Sequence, residues 1–225
     1  MGTELIESSF LSIFALISFF IFFIVSKYSY KLRGGALLDK DFSKPQAFHD
    51  FPITRSGGIA IIISLSIFFV IYYLLYSKIL YEYIFISYSL FLVGFLDDLK
   101  INIKPLKRLL AMIFLLFAII YFMPIKILNI DIPFLTSFMT NHIFSSIFVL
   151  LCLLFIINGA NLIDGFNGLL AINLIIINII LTYLNIDNQN LEFSILLISQ
   201  IIILLSFLLF NFPNAKIFLG DSGAY

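Results

Sequence analysis

Seven long apolar runs, each with at most a single charge inside it, limit the fold of this chain more tightly than any other feature. They extend approximately from Phe10 to Val25, Gly57 to Tyr76, Ile79 to Leu96, Leu109 to Met123, Ile143 to Ala160, Leu169 to Leu184 and Leu191 to Phe210. A helix needs about 20 mainly apolar residues to cross the hydrocarbon core of a bilayer, with a working range of roughly 17–25. The shorter runs reach that length only with their polar flanks. Hydrophobic residues make up 62% of the 225, among them 28 Phe, more than one water-facing core could bury. Isoleucine is abundant and favours strands, but a backbone in lipid must satisfy its own hydrogen bonds, so the runs are expected to be helices. The expected fold is all-α: a polytopic membrane protein with about seven transmembrane helices, residues 1–225 forming one membrane-embedded domain.

Thirteen basic and thirteen acidic residues balance to zero, so the overall charge points to no nucleic acid partner and sign has to be read locally. Glu4 and Glu7 precede the first run and no Lys or Arg does, the reverse of a secretory signal. The first run is therefore expected to be a retained helix that starts outside. Threaded that way, residues 27–56, 97–108, 158–168 and 211–225 fall on one side. That side collects Lys27, Lys31, Arg33, Lys40, Lys44, Arg55, Lys100, Lys104, Lys107, Arg108 and Lys216, leaving only Lys78 and Lys126 opposite. By the positive-inside rule it faces the cytoplasm. Most of these cations need do no more than anchor the helices. The single cysteine, Cys152, lies inside an apolar run and reads as packing, and His142 at the opposite side is assigned no role.

The same four segments carry more polar residues and glycines than anchoring requires. They read FHDFPITRSGG at 48–58, GFLDDLK at 94–100, NGANLIDGFNG at 158–168 and NAKIFLGDSG at 214–223. Asp97 and Asp98 end a span, where carboxylates are costly unless they meet a cation, a wet cavity or a counter-charge. A solvated helix end beside Lys100 is the plain alternative. Asn158, Asn161 and Asp164 recur at a spacing of three, on one stripe of a helix end, with Asn167 continuing it. Gly165 and Gly168 suit a span that breaks into a binding loop. Asp221 in GDSG offers a hard oxygen ligand on a turn, as Mg²⁺ takes, although an ordinary Asx turn looks the same. Arg55 could hold a phosphate by a forked pair of hydrogen bonds or simply anchor the interface, and His49 is a weaker candidate beside it.

In this order and at these helix ends, GFLDDLK, NGANLIDGFNG and AKIFLGDSG, with PITRSGG, resemble the polyprenyl-phosphate N-acetylhexosamine-1-phosphate transferase family. The resemblance spans nearly the whole chain. It implies a membrane enzyme that uses Mg²⁺, or Mn²⁺ in its place, to let a polyprenyl phosphate such as undecaprenyl phosphate displace UMP from a UDP-linked amino sugar. The product would be a polyprenyl diphosphate sugar for cell-wall or surface polysaccharide synthesis. By motif position, Asp97 resembles the carboxylate proposed to activate the lipid phosphate, with Asp98 and Asp164 as further catalytic candidates. Asn158, Asn161, Asn167, Lys216, Arg55 and His49 would contact substrate, and Asp221 resembles the metal-binding aspartate. The implied setting is a bacterial inner membrane, with the N-terminus outside, the active site cytoplasmic and homodimers known among relatives.

The pattern is not followed everywhere. Asn167 stands where an aspartate is common, and Ala224 where serine is frequent. The stretch from Asp39 to His49 is longer than in many relatives. The chain ends at Tyr225, before further spans and a histidine-bearing loop that relatives carry, so the domain is expected to be incomplete at its C-terminus. CDP-alcohol phosphotransferases also use metal-bound aspartates, but their Asp-Gly before Ala-Arg is not found around Asp164 and Gly165. The alternative from another class is a transporter with a cation site at Asp97 and Asp98.

Overall fold

The computed structural model describes residues 2–31, 37–39, 52–99, 105–122, 130, 132–188 and 190–225. In chain order they form α1 (Gly2–Tyr28), β1 (Leu38–Asp39), β2 (Ile53–Arg55), α2 (Gly57–Tyr76), α3 (Tyr81–Asp98) and α4 (Pro105–Phe122). Then come α5 (Pro133–Met139), α6 (His142–Ile163), α7 (Leu169–Asp187), α8 (Leu191–Asn211), β3 (Ile217–Phe218) and α9 (Asp221–Ala224). Every expected span falls on one of these helices, and the protein is an all-α, multi-pass membrane protein. Among the described residues, five stretches are long and apolar enough to cross a bilayer, namely Ser9–Lys31, Gly57–Tyr76, His142–Ile163, Leu169–Asp187 and Leu191–Asn211. The other two expected spans, α3 and α4, are 18 residues each and more polar at their ends, with Glu82, Asp97 and Asp98 on one and Lys107 and Arg108 on the other.

α8 is the hub, with α1, α2 and α7 packed around it. Phe14 and Phe22 of α1, Phe68 of α2 and Phe207 of α8 are fully buried there. In lipid, helices are held by packing and by small side chains more than by exclusion from water. The buried serines of α8 fit that rule: Ser199 and Ser206 donate to their own helix, to the carbonyls of Leu196 at 2.7 Å and Ile202 at 2.9 Å. A second cluster joins α4 and α6 through Met112, Leu116, Ile119, Leu154 and Ile157. Phe155, Leu162 and Tyr183 face outward, as expected of side chains that meet lipid.

A small sheet of order β1-β2-β3 was not expected from sequence. β1 runs antiparallel to β2, pairing Leu38 with Thr54, and β2 runs parallel to β3, pairing Thr54 with Ile217 and Arg55 with Phe218. It fastens the segment before α2 to the segment after α8. Buried hydroxyls extend the tie to the end of α1, with Ser29 Oγ 2.8 Å from Thr54 Oγ1 and Thr54 Oγ1 3.1 Å from Ser56 Oγ. The end of α1, the start of α2 and the end of α8 are thereby brought to one end of the bundle.

Candidate functional site

The site is assembled around the four-residue helix α9. A helix start leaves backbone N–H groups without partners, and a carboxylate is well suited to receive them. Asp98 does this from the end of α3. It is fully buried, and its Oδ1 and Oδ2 accept the N–H groups of Asp221 and Ser222, each at 2.9 Å. Bonds to a charged acceptor contribute about 1.5–3 kcal/mol apiece. Gly220 enters the turn with φ +74°, a left-handed value that favours glycine. Such close seating requires bare backbones on the neighbouring helices. A Cβ at Gly94 would lie 2.5 Å from the Asp221 carbonyl carbon and 2.6 Å from Ser222 Cα, and one at Gly58 would lie 2.6 Å from the Gly223 nitrogen.

Seated in this way, α9 presents Asp221 to three other helices. Its Oδ1 accepts from Asn161 Nδ2 on α6 at 3.0 Å. Its carboxyl and that of Asp97, the penultimate residue of α3, lie against the same guanidinium. Arg108, one turn into α4, lies against both acids: Nη1 donates to Asp97 Oδ2 at 2.6 Å and reaches Asp221 Oδ2 at 3.4 Å. Burial, followed by the neighbouring Asp97 carboxyl, raises the pKa of the Asp221 carboxyl, with Asn161 working in the opposite direction.

Asp164 caps the C-terminal end of α6. Its pKa is pushed up to about 8, first by burial and then by the charges of Asp221 and Asp98, while Arg55 pulls it down. No hydrogen-bond partner of its side chain is found among the described residues. Arg55 lies on β2, where Nη2 and Nε donate to Asp39 Oδ2 at 2.6 Å and 3.1 Å. Burial disfavours its charge, but the bond to Asp39 and the fields of Asp39, Asp98 and Asp221 outweigh burial and raise the pKa. Asp97, Asp98, Asp164, Asp221, Asn161 and Arg55 thus share one end of the bundle.

Other expected site residues are placed differently. Asn158 turns back on its own helix, donating to the Leu154 carbonyl at 2.8 Å. Asn167 does not continue the stripe of α6, because the helix stops at Ile163 and Gly168 turns left-handed at φ +75°. Instead its Nδ2 donates to the Pro213 carbonyl at 3.0 Å, tying the α6–α7 turn to the segment after α8. Lys216 is exposed, with its backbone N–H on the Phe210 carbonyl at 2.8 Å. His49 lies outside the described residues. Sequence reading missed Arg108 and Asp39. Arg108 stood among eleven cations of one face, with only its place just ahead of an apolar run to single it out.

The donor set is compatible with Mg²⁺. Asp97 and Asp221 lie close enough for one cationic group to bridge them, and the guanidinium of Arg108 does so. Among the described residues no three acidic, His or Cys side chains converge as a metal cage. Mg²⁺ commonly uses one or two carboxylates and takes its other ligands from phosphate and water.

Fold and site together define a multi-pass membrane protein with carboxylates clustered at one end of its bundle. The glycosyl transferase family 4 model matches residues 80–225, more than half of the chain, and the chain belongs to that family. It is 27% identical to the phospho-N-acetylmuramoyl-pentapeptide-transferase of Streptococcus thermophilus over 215 residues, covering 89% of this chain and 62% of the relative. It is 34% identical to the protein of the same name in Leuconostoc mesenteroides over 128 residues, 57% of this chain and 39% of the relative. The undecaprenyl-phosphate alpha-N-acetylglucosaminyl 1-phosphate transferase of Thermotoga maritima is 27% identical over 213 residues, 94% of this chain and 59% of the relative. The chain therefore spans about three fifths of the length of relatives that it matches almost end to end.

Proposed function

We propose that the protein containing this chain transfers N-acetylhexosamine 1-phosphate from a UDP-sugar to undecaprenyl phosphate, releasing UMP and leaving a polyprenyl diphosphate sugar. The observation that carries this reading is the meeting of residues from remote segments: Asp97 and Asp221 on Arg108, and Asn161 on Asp221. The names of the relatives from Streptococcus thermophilus and Thermotoga maritima support it. In the reaction an oxygen of the lipid phosphate attacks the sugar-bearing phosphorus of the donor. The bond from that phosphorus to the oxygen bridging to UMP breaks, and UMP leaves with the electron pair.

Both reactants are anions, so catalysis chiefly requires charge neutralisation and in-line positioning. Asp221, with Asp97, would hold Mg²⁺, which when bound offsets the repulsion between the phosphates. Asp97 orients the lipid phosphate and takes its residual proton, since that phosphate is already largely ionised near neutral pH. Asp98 is a positioning residue: with both oxygens on the backbone of α9, it fixes where Asp221 sits. Asn161 holds one oxygen of Asp221 and leaves the other for a cation. Asp164, protonated below about pH 8 in the metal-free site, can donate a hydrogen bond to a sugar or phosphate oxygen. Arg55 and the exposed Lys216 offer cationic donors to the diphosphate.

The same reading places the N-terminus outside and the site at the cytoplasmic face of a bacterial inner membrane. A polyprenyl tail can then stay in lipid while a soluble nucleotide sugar arrives from the cell. The test is an assay of the full-length protein with labelled UDP-sugars and undecaprenyl phosphate. UMP release and a lipid-linked diphosphate sugar are expected with Mg²⁺ or Mn²⁺, and turnover undiminished by chelator would remove the metal from the mechanism.

A further inference from the structure

Arg108 is anchored by its own helix and meets two acids carried on other elements. Its Nη1 bridges Asp97 and Asp221, the two carboxylates assigned to the metal. Its side chain is 31% exposed, so the guanidinium has a route to solvent or substrate. A partly buried pair of like charges is stabilised by a cation between them, and one that leaves must be replaced. Lys107, its neighbour on α4, is exposed and makes no ion pair among the described residues.

Resting on the proposed metal site, we propose that Arg108 is a built-in counter-cation: it holds Asp97 and Asp221 together in the empty site and competes with the divalent ion for them. Metal and guanidinium cannot both sit between the two acids. Divalent ion alone then binds weakly, because it must displace Arg108 into a place with no anion to receive it. When a diphosphate arrives with the ion, its oxygens supply that anion, and the displaced guanidinium has a partner again. Metal and diphosphate thus favour one another's binding through a side chain that need not remain on the metal's own ligands, and such coupling is reciprocal.

The experiment is Mn²⁺ binding to the full-length protein in detergent, read by electron paramagnetic resonance with no substrate present. Arg108→Gln is expected to bind Mn²⁺ on the order of tenfold tighter than the parent. Arg108→Lys and Lys107→Gln should stay near the parent value, the first because it keeps the cation and the second because it never met the acids. If Arg108→Gln does not fold, Arg108→Met, which keeps the apolar stem packed, makes the same comparison. Binding by the Arg108 variant that is no tighter than in the parent overturns the inference, as does equal tightening in Lys107→Gln. Asp221→Asn separates the two levels: if it binds Mn²⁺ like the parent, the metal site itself is wrong, whereas loss of binding there with no tightening in Arg108→Gln sinks the counter-cation alone.

Discussion

The two ends of the bundle satisfy their polar groups by opposite means. At the end carrying Lys78 and Glu192, most bonds are made within a turn of chain. Asn141 accepts from Ile143 and Phe144 at the start of α6, and Asn190 accepts from Phe193 at the start of α8. The Lys78–Glu192 ion pair there is more than half exposed on both sides. At the other end the partners are far apart in sequence: Asp98 with Asp221 and Ser222, Asn161 with Asp221, and Arg108 with both acids. Local bonds only terminate helices, whereas long-range ones fix where several helices end relative to one another. The site proposed above, which would place two phosphates in line, needs the second kind.

The largest contrast should come from the acids. Asp221→Asn and Asp97→Asn are each expected to lower UMP exchange by at least about a hundredfold while the protein stays inserted and folded. Near-normal exchange in either would remove its assigned part. Next in size is Asp98→Ala, which leaves two buried N–H groups without an acceptor. It should lower stability by about 3 kcal/mol or more, with activity lost through displacement of Asp221. A thermal unfolding midpoint equal to the parent's would show that α9 is held by something else.

A smaller effect, visible only in its pH dependence, belongs to Asp164. Its folded-state value of about 8 lies above the ordinary carboxyl value of 3.8, so between those limits the folded protein holds the proton more tightly than the unfolded chain does. That preference favours folding fully below the unfolded value and fades as pH rises toward 8. Without divalent ion, Asp164→Asn should therefore gain on the parent in thermal stability between pH 5 and pH 9. A constant difference across that range would contradict the buried, proton-holding carboxyl. Smallest of all, Lys78→Gln should change neither unfolding nor exchange measurably, since an exposed pair has little to lose. A clear loss of activity there would blur the distinction between the two ends.

The same distinction decides what could be read in advance. Apolar runs are local, so α2 begins and ends where its run does, and α7 and α8 differ from theirs only by a residue or a turn. The four motif segments do gather Arg55, Asp97, Asp98, Asp164 and Asp221 at one end of the fold. Strands of two or three residues carry no period, so the sheet beneath Arg55 left no trace in sequence. Asp97 and Asp98 look alike in sequence, yet one meets Arg108 and the other is spent on the backbone of α9, a division that only the packing of α3 on α9 creates. The stripe of α6 does not reach Asn167 because the helix ends at Ile163, four residues earlier.

Whether Asp97 and Asp221 act on one shared ion is tested most directly by a double-mutant cycle. Exchange of labelled UMP would be compared in the parent, Asp97→Asn, Asp221→Asn and the double variant. Shared binding implies that the second substitution costs little once the first is made, so the double variant should be scarcely slower than the worse single one. A double variant slowed by the product of the two single effects would mean that the carboxylates work independently, and the shared ion would have to be abandoned.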